Sequence, residues 1–207
     1  MLQLSLNGVG KRYNRDWIFR NIKKDFHQGK SYAILGSNGA GKSTYIQLLA
    51  GNITPNEGEL SHLLDEVALE PDQVYQYVAL AAPYLDLVTE FTLLEQVSFH
   101  FNFKRLPKGI EKDELPGIMN LEREKNKPLK QFSSGMLQRV KLGLAILSDC
   151  PILLLDEPAS NLDRASIKWY MELLDSYASQ KLVVICSNSR KEEYEFCQQE
   201  LFIDNYR

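Results

Sequence analysis

The sequence predicts an α/β fold: a mostly parallel sheet covered by helices on both faces. Three observations carry this. Ser31–Leu35, Pro151–Leu155 and Leu182–Cys186 are short, nearly continuous apolar runs, the pattern of strands buried on both faces. Helix-like segments at Lys42–Ala50 and Arg164–Ala178 alternate with them, as strand–helix units of a parallel sheet do. A glycine-rich loop joins the first of these strands to the first helix, at the kind of strand end where open α/β sheets bind ligands.

The remaining elements follow in chain order. Leu2, Leu4 and Leu6 alternate with polar residues, as a half-buried strand does. Trp17–Phe26 is a second β-rich piece, closed by the turn residues His27-Gln28-Gly29-Lys30,. Asn52–Gly58, with Pro55 inside it, reads as a loop, and Tyr77–Ala82 as another apolar strand. From Thr89 to Asp149 the pattern turns helical, with Phe91–Phe103 amphipathic and Ser134–Leu147 apolar at helical spacing,. Between them, Lys104–Lys130 is charged and broken by Pro107, Pro116 and Pro128, a solvated face in short pieces,. Lys191–Glu195 reads as a short helix and Glu200–Ile203 as the last strand. A single domain over 1–207 is expected, with a core of 1–88 and 150–207 and a helical lobe at 89–149.

Composition narrows the function classes. The 207 residues are 44% hydrophobic and 25% charged, with a net charge of −3 and no long basic run. That is an ordinary globular composition and disfavours nucleic acid as the main partner. Cys150, Cys186 and Cys197 lack metal-ligand spacing and read as reduced thiols of a cytosolic protein. The N-terminus lacks a secretory pattern, and no stretch approaches the ~20 apolar residues that cross a bilayer. A membrane role would therefore run through a separate partner.

Two motifs carry chemistry. Gly36-Ser37-Asn38-Gly39-Ala40-Gly41-Lys42-Ser43-Thr44 satisfies G-x-x-x-x-G-K-[ST], the P-loop,. Phosphate oxygens need several converging N–H donors, and glycines let the backbone curl tightly enough to supply them. The helix that follows adds its N-terminal amides and dipole. Lys42 is expected at the β/γ-phosphates, the Ser43 hydroxyl at Mg²⁺, and Thr44 on the α-phosphate side. The second motif is Ile152-Leu153-Leu154-Leu155-Asp156-Glu157-Pro158. A buried strand here delivers two acids at its carboxyl end. Asp156 suits Mg²⁺, directly or through water, and Glu157 suits deprotonation of an attacking water.

These residues resemble the ABC ATPase family, and the order of the rest agrees over essentially the whole chain. Tyr13 resembles the aromatic that stacks on adenine. Phe132-Ser133-Ser134-Gly135-Met136 is similar to the family signature, and Ser160-Asn161-Leu162-Asp163 to its D-loop. The resemblance implies a P-loop NTPase fold with an N-terminal antiparallel β subdomain and an inserted helical subdomain. It implies ATP and Mg²⁺ as ligands and a head-to-tail dimer with a second such domain, identical or not. In that dimer Ser133 and Gly135 serve the neighbour's ATP. It further implies a separately encoded transmembrane permease that seats the chain at the inner face of the membrane. A non-transport ABC protein or an ATP-sensing clamp is the alternative.

Three positions depart from the family pattern. Asn188 stands where a His usually contacts the γ-phosphate; it can hydrogen-bond but has no titratable proton near neutral pH. Ala81, or Leu80 in a shifted register, stands where a Gln is usual near the metal. The signature carries Ser134 for Gly and Met136 for Gln. Complete binding machinery with weakened hydrolytic parts predicts slow turnover.

Overall fold

The computed structural model describes residues 1–188 and 191–207. Two sheets form the framework. The first is antiparallel, in the order β2-β1-β4-β5, from β1 (Leu2–Tyr13), β2 (Asp16–His27), β4 (Glu57–Leu64) and β5 (Val67–Ala68). The second is parallel throughout, in the order β6-β7-β8-β3-β9. Its strands are β3 (Ser31–Leu35), β6 (Val78–Ala81), β7 (Ile152–Asp156), β8 (Leu182–Ser187) and β9 (Gln199–Phe202). The helices are α1 (Lys42–Leu49), α2 (Val74–Tyr77), α3 (Leu93–His100), α4 (Leu115–Ile118), α5 (Ser134–Ile146), α6 (Arg164–Ala178) and α7 (Lys191–Tyr194).

Strand parity divides the parallel sheet into two cores. Ala33, Leu35, Leu153, Leu155, Val183 and Ile185 face one way, into a core shared with α3, α5 and α6. Ile34, Ile152, Leu154, Val184 and Cys186 face the other, into a core shared with α1 and the antiparallel sheet. Successive side chains point to opposite faces of a strand, so Asp156, two residues after Leu154, belongs to the α1 side.

The structure moves several expected boundaries. β4 and β5 were not legible, and β4 begins inside the expected loop Asn52–Gly58. Of the eight residues of β4 only His62 is fully buried, so the strand has no apolar alternation to read. Its place comes from pairing with β1, Leu4 opposite His62, and His62 Nε2 is 2.8 Å from the Leu49 carbonyl at the end of α1. In β1 the even-numbered burial of Leu2, Leu4 and Leu6 gives way to Val9. A register shift between Leu6 and Val9, with Gly8 at φ 64°, re-aims the strand,. α3 starts at Leu93 rather than Phe91 because Thr92 caps it. The Glu95 N–H donates to Thr92 Oγ1 at 3.2 Å, and the Thr92 N–H donates to Glu95 Oε2 at 2.8 Å,.

Candidate functional site

The carboxyl ends of β3, β7 and β8 lie side by side at one edge of the parallel sheet. They open into a cleft of about 520 Å³ lined by Ile18, Asn38, Gly39, Gly41, Lys42, Ser43, Thr44, Glu157 and Asn188. A second cavity, of about 320 Å³, lies at the opposite ends of β3 and β8, between Lys30, Met171 and Phe196, away from these groups.

The loop after β3 turns through Gly39 (φ 76°) and Gly41 (φ 98°), conformations that side chains rarely adopt. Gly41 is required twice over, since a Cβ there would lie 2.3 Å from Ile18 Cγ2. Gly41 also caps α1 without any side-chain bond to the helix, which leaves the first-turn amides available to an anion. Ala40 is fully buried and its N–H donates to the Ser37 carbonyl at 3.0 Å. Lys42, 6% exposed, folds back to donate to the carbonyls of Gly36 (2.8 Å) and Ser37 (3.0 Å).

Asp156 is 2% exposed, and neither of its carboxylate oxygens has a hydrogen-bond partner among the described residues. Burial raises its pKa, and the charge of Glu157 adds to this. Ser43 and Lys42, which face it, pull the other way. A buried, orphaned carboxylate beside a hydroxyl fits a hard cation such as Mg²⁺. Among the described residues no cluster of three or more His, Cys, Asp or Glu could hold a metal alone. A cation here would take its other ligands from phosphate and water, the usual Mg²⁺ pattern.

Glu157 leaves β7 at φ 48°, a left-handed conformation that costs a non-glycine residue about 1 kcal/mol or more. Backbone bonds hold the turn: Glu157 N–H to the Cys186 carbonyl at 2.9 Å, and Ser160 N–H to the Glu157 carbonyl at 3.0 Å. The Asn188 amide donates to Glu157 Oε1, and the Ser160 hydroxyl reaches Oε2 at 3.4 Å. Asn188 thus faces the other acid of the site, whereas its sequence position had suggested a contact to the γ-phosphate.

The other expected residues lie farther from the cleft. Tyr13 is 49% exposed at the tip of the β1–β2 hairpin and outside the lining, where Ile18 stands instead. Ser133 caps α5, its hydroxyl accepting from the Met136 N–H at 3.3 Å. Gly135 packs on the loop after β7; a Cβ there would lie 2.9 Å from the Asn161 carbonyl oxygen.

Two residues at the site escaped sequence reading. Ala81 ends β6 opposite Leu155, and three residues later the Tyr84 phenol lies within the field of the Asp156 charge. Burial raises its pKa, the charges of Asp156 and Cys186 add to this, and a hydrogen bond with Gln47 opposes it. Asp204, from the far end of the chain, bonds to Ser37. Nothing local marks either residue; only their tertiary neighbours do.

Residues 19–160 match the ABC transporter family model. The chain belongs to that family. The Nod factor export ATP-binding protein I of Ralstonia nicotianae is 26% identical over 208 residues, and the match covers 99% of this chain but 65% of the relative. The cytochrome c biogenesis ATP-binding export protein of Haemophilus influenzae is 27% identical over 191 residues, covering 92% of this chain and 90% of its own length. The fold superposes on the ATP-binding subunit of an ABC transporter with a TM-score of 0.84 at 24% identity, covering 96% and 85% of the two chains. It superposes on a dimeric bacterial ABC transporter cassette with a TM-score of 0.81 at 23% identity, covering 97% and 95%. The chain has the fold of ABC ATPase domains, and it spans about two thirds of the length of the first of these relatives. Among the described residues no helix is long and apolar enough to cross a membrane.

Proposed function

We propose that this ABC protein binds ATP with Mg²⁺ in the cleft and hydrolyses it slowly, as one half of a head-to-tail dimer that drives a separate membrane subunit. The observation that carries the reading is the meeting of three strand ends: the P-loop after β3, the buried Asp156 and its neighbour Glu157 after β7, and Asn188 after β8. The amides of Gly39 to Thr44 and the Lys42 ammonium would hold the phosphates, and Tyr13 the adenine. Ser43 and Asp156 would hold Mg²⁺, which supplies charge neutralisation at the phosphates. Glu157 would take the proton of the attacking water. Asn188 keeps Glu157 aimed but, unlike a His, offers no proton of its own.

In this reading residues 1–88 and 150–207 form the nucleotide core, and 89–149 present Ser133 and Gly135 to a neighbour's ATP. Residues Phe91, Phe99 and Phe103 support a protein partner on that lobe. Their rings stack edge to face at 5.6 and 5.4 Å, and Phe99 and Phe103 are 45% and 65% exposed; contiguous exposed aromatics mark interaction surfaces. Through that partner the chain would sit at the inner membrane face.

Calorimetry of ATP binding in Mg²⁺ buffer and sedimentation of Glu157→Gln at saturating ATP test the proposal. Lys42→Ala is expected to lose most of the affinity, and Glu157→Gln to accumulate an ATP-bound dimer. Unchanged affinity in Lys42→Ala overturns the site assignment. A monomeric Glu157→Gln protein overturns homodimer action.

A further inference from the structure

The parallel register of β9 beside β3 sets Leu35 opposite Phe202. The next residues of the two strands, Gly36-Ser37 and Ile203-Asp204, therefore emerge together although about 167 residues separate them. Ile203 is fully buried, which fixes the root of the turn it begins. Asp204 Oδ2 accepts the Ser37 N–H at 2.9 Å, and Oδ1 accepts the Ser37 hydroxyl, also at 2.9 Å. Arg207 donates to the Gly39 carbonyl at 2.7 Å. The approach is close: a Cβ on Gly36 would lie 2.6 Å from Ile203 Cγ2 and 2.9 Å from Asp204 Oδ2. The first glycine of the P-loop is thus demanded by this turn as well as by its own curl.

We infer that Asp204 is a positioning residue of the phosphate-binding loop, holding the Ser37 end of the loop in its binding shape. The reason lies in how Ser37 is held. Its N–H and hydroxyl go to Asp204, while its carbonyl accepts from Lys42 Nζ. If Lys42 serves nucleotide phosphates, its bonds to the Gly36 and Ser37 carbonyls are given up on binding. Asp204 then remains as the side chain that fixes this end of the loop. The inference rests on the P-loop reading above. Asp204 touches no reacting atom, so its effect should fall on affinity and not on the chemical step.

The test measures affinity for ATP and ADP by calorimetry, with kcat at saturating ATP, in wild type, Asp204→Ala, Asp204→Asn and Lys42→Ala. If the loop without its holder occupies the binding shape a tenth of the time, apparent affinity falls about tenfold. Asp204→Ala is therefore expected to weaken ATP and ADP alike by about three- to tenfold, with kcat within about twofold. Asp204→Asn keeps an acceptor for the Ser37 N–H and should recover most of the loss. Should the Ala variant fail to fold, Asp204→Glu decides. It keeps the charge but displaces the carboxylate by a methylene, and is expected to weaken binding as Ala does. Affinity within twofold of wild type in the folded Ala variant, or in Asp204→Glu, overturns the inference, provided Lys42→Ala loses binding. If Lys42→Ala also binds normally, the P-loop reading itself fails and this inference with it.

Discussion

Removing the Asn188 amide should slow hydrolysis only through Glu157, and a double-mutant cycle can show it. Glu157 sits in a left-handed backbone conformation, and its carboxylate is held by Asn188 on Oε1 and by a long 3.4 Å contact to Ser160 on Oε2. Asn188→Ala leaves that weak contact alone to aim the carboxylate. A hydrogen bond to a charged group is worth about 1.5–3 kcal/mol. Asn188 is exposed, so the lower end applies, about 1.5 kcal/mol or a little over tenfold in kcat. Glu157→Gln removes the proton acceptor itself and should cost about 10²–10⁴-fold. Because the amide works through the acid, adding Asn188→Ala to Glu157→Gln should cost almost nothing more. The assay is Mg²⁺-dependent phosphate release at saturating ATP, for wild type, both single variants and the double. Full additivity would refute the reasoning, since it would mean that Asn188 acts on the reaction independently of Glu157.

Further consequences concern the rest of the site and the fold. Asn188→His and Ala81→Gln are each expected to raise turnover in part, and the pair to raise it more; wild type at the enzyme-typical ~10 s⁻¹, with no gain from either change, would end the view of a weakened catalyst. Gly135→Ala should leave ATP affinity intact but impair dimer-dependent hydrolysis, because its Cβ would crowd the Asn161 carbonyl at 2.9 Å; affinity and phosphate release measured together check this. His100 bears on stability. Burial, with Lys104 adding to it, holds its pKa at about 4 against the usual 6.5, so below pH 6.5 the unfolded chain binds a proton that the folded one refuses. The stability this contributes is fully present above about pH 6.5 and is lost as pH falls toward 4, by up to about 3 kcal/mol. Urea melts of wild type against His100→Gln across that window should differ in pH slope.

Much of this protein was legible in one dimension, wherever a signal was local. Ser31–Leu35, Lys42 onward and Arg164–Ala178 carry their own periodicity, and the structure places β3, α1 and α6 at those starts. The glycine loop and the Asp156-Glu157 pair stand out in the sequence because glycine spacing and a polar break after an apolar strand are chemical statements in themselves, and the structure brings the loop and Glu157 to one cleft edge. β4 does not stand out, because a strand with a single buried residue carries no alternation; its pairing with β1 decides it. The family resemblance implies only that Asn188 stands where a His is usual, whereas the adjacency of β7 and β8 sets its amide on Glu157. The nearness of Tyr84 to the Asp156 charge, and the hydrogen bonds from Ser37 to Asp204, are facts of the same kind. Local sequence fixes which groups a strand end can offer. Which group meets which is set by strand order and register, and those follow from burying both faces of one sheet.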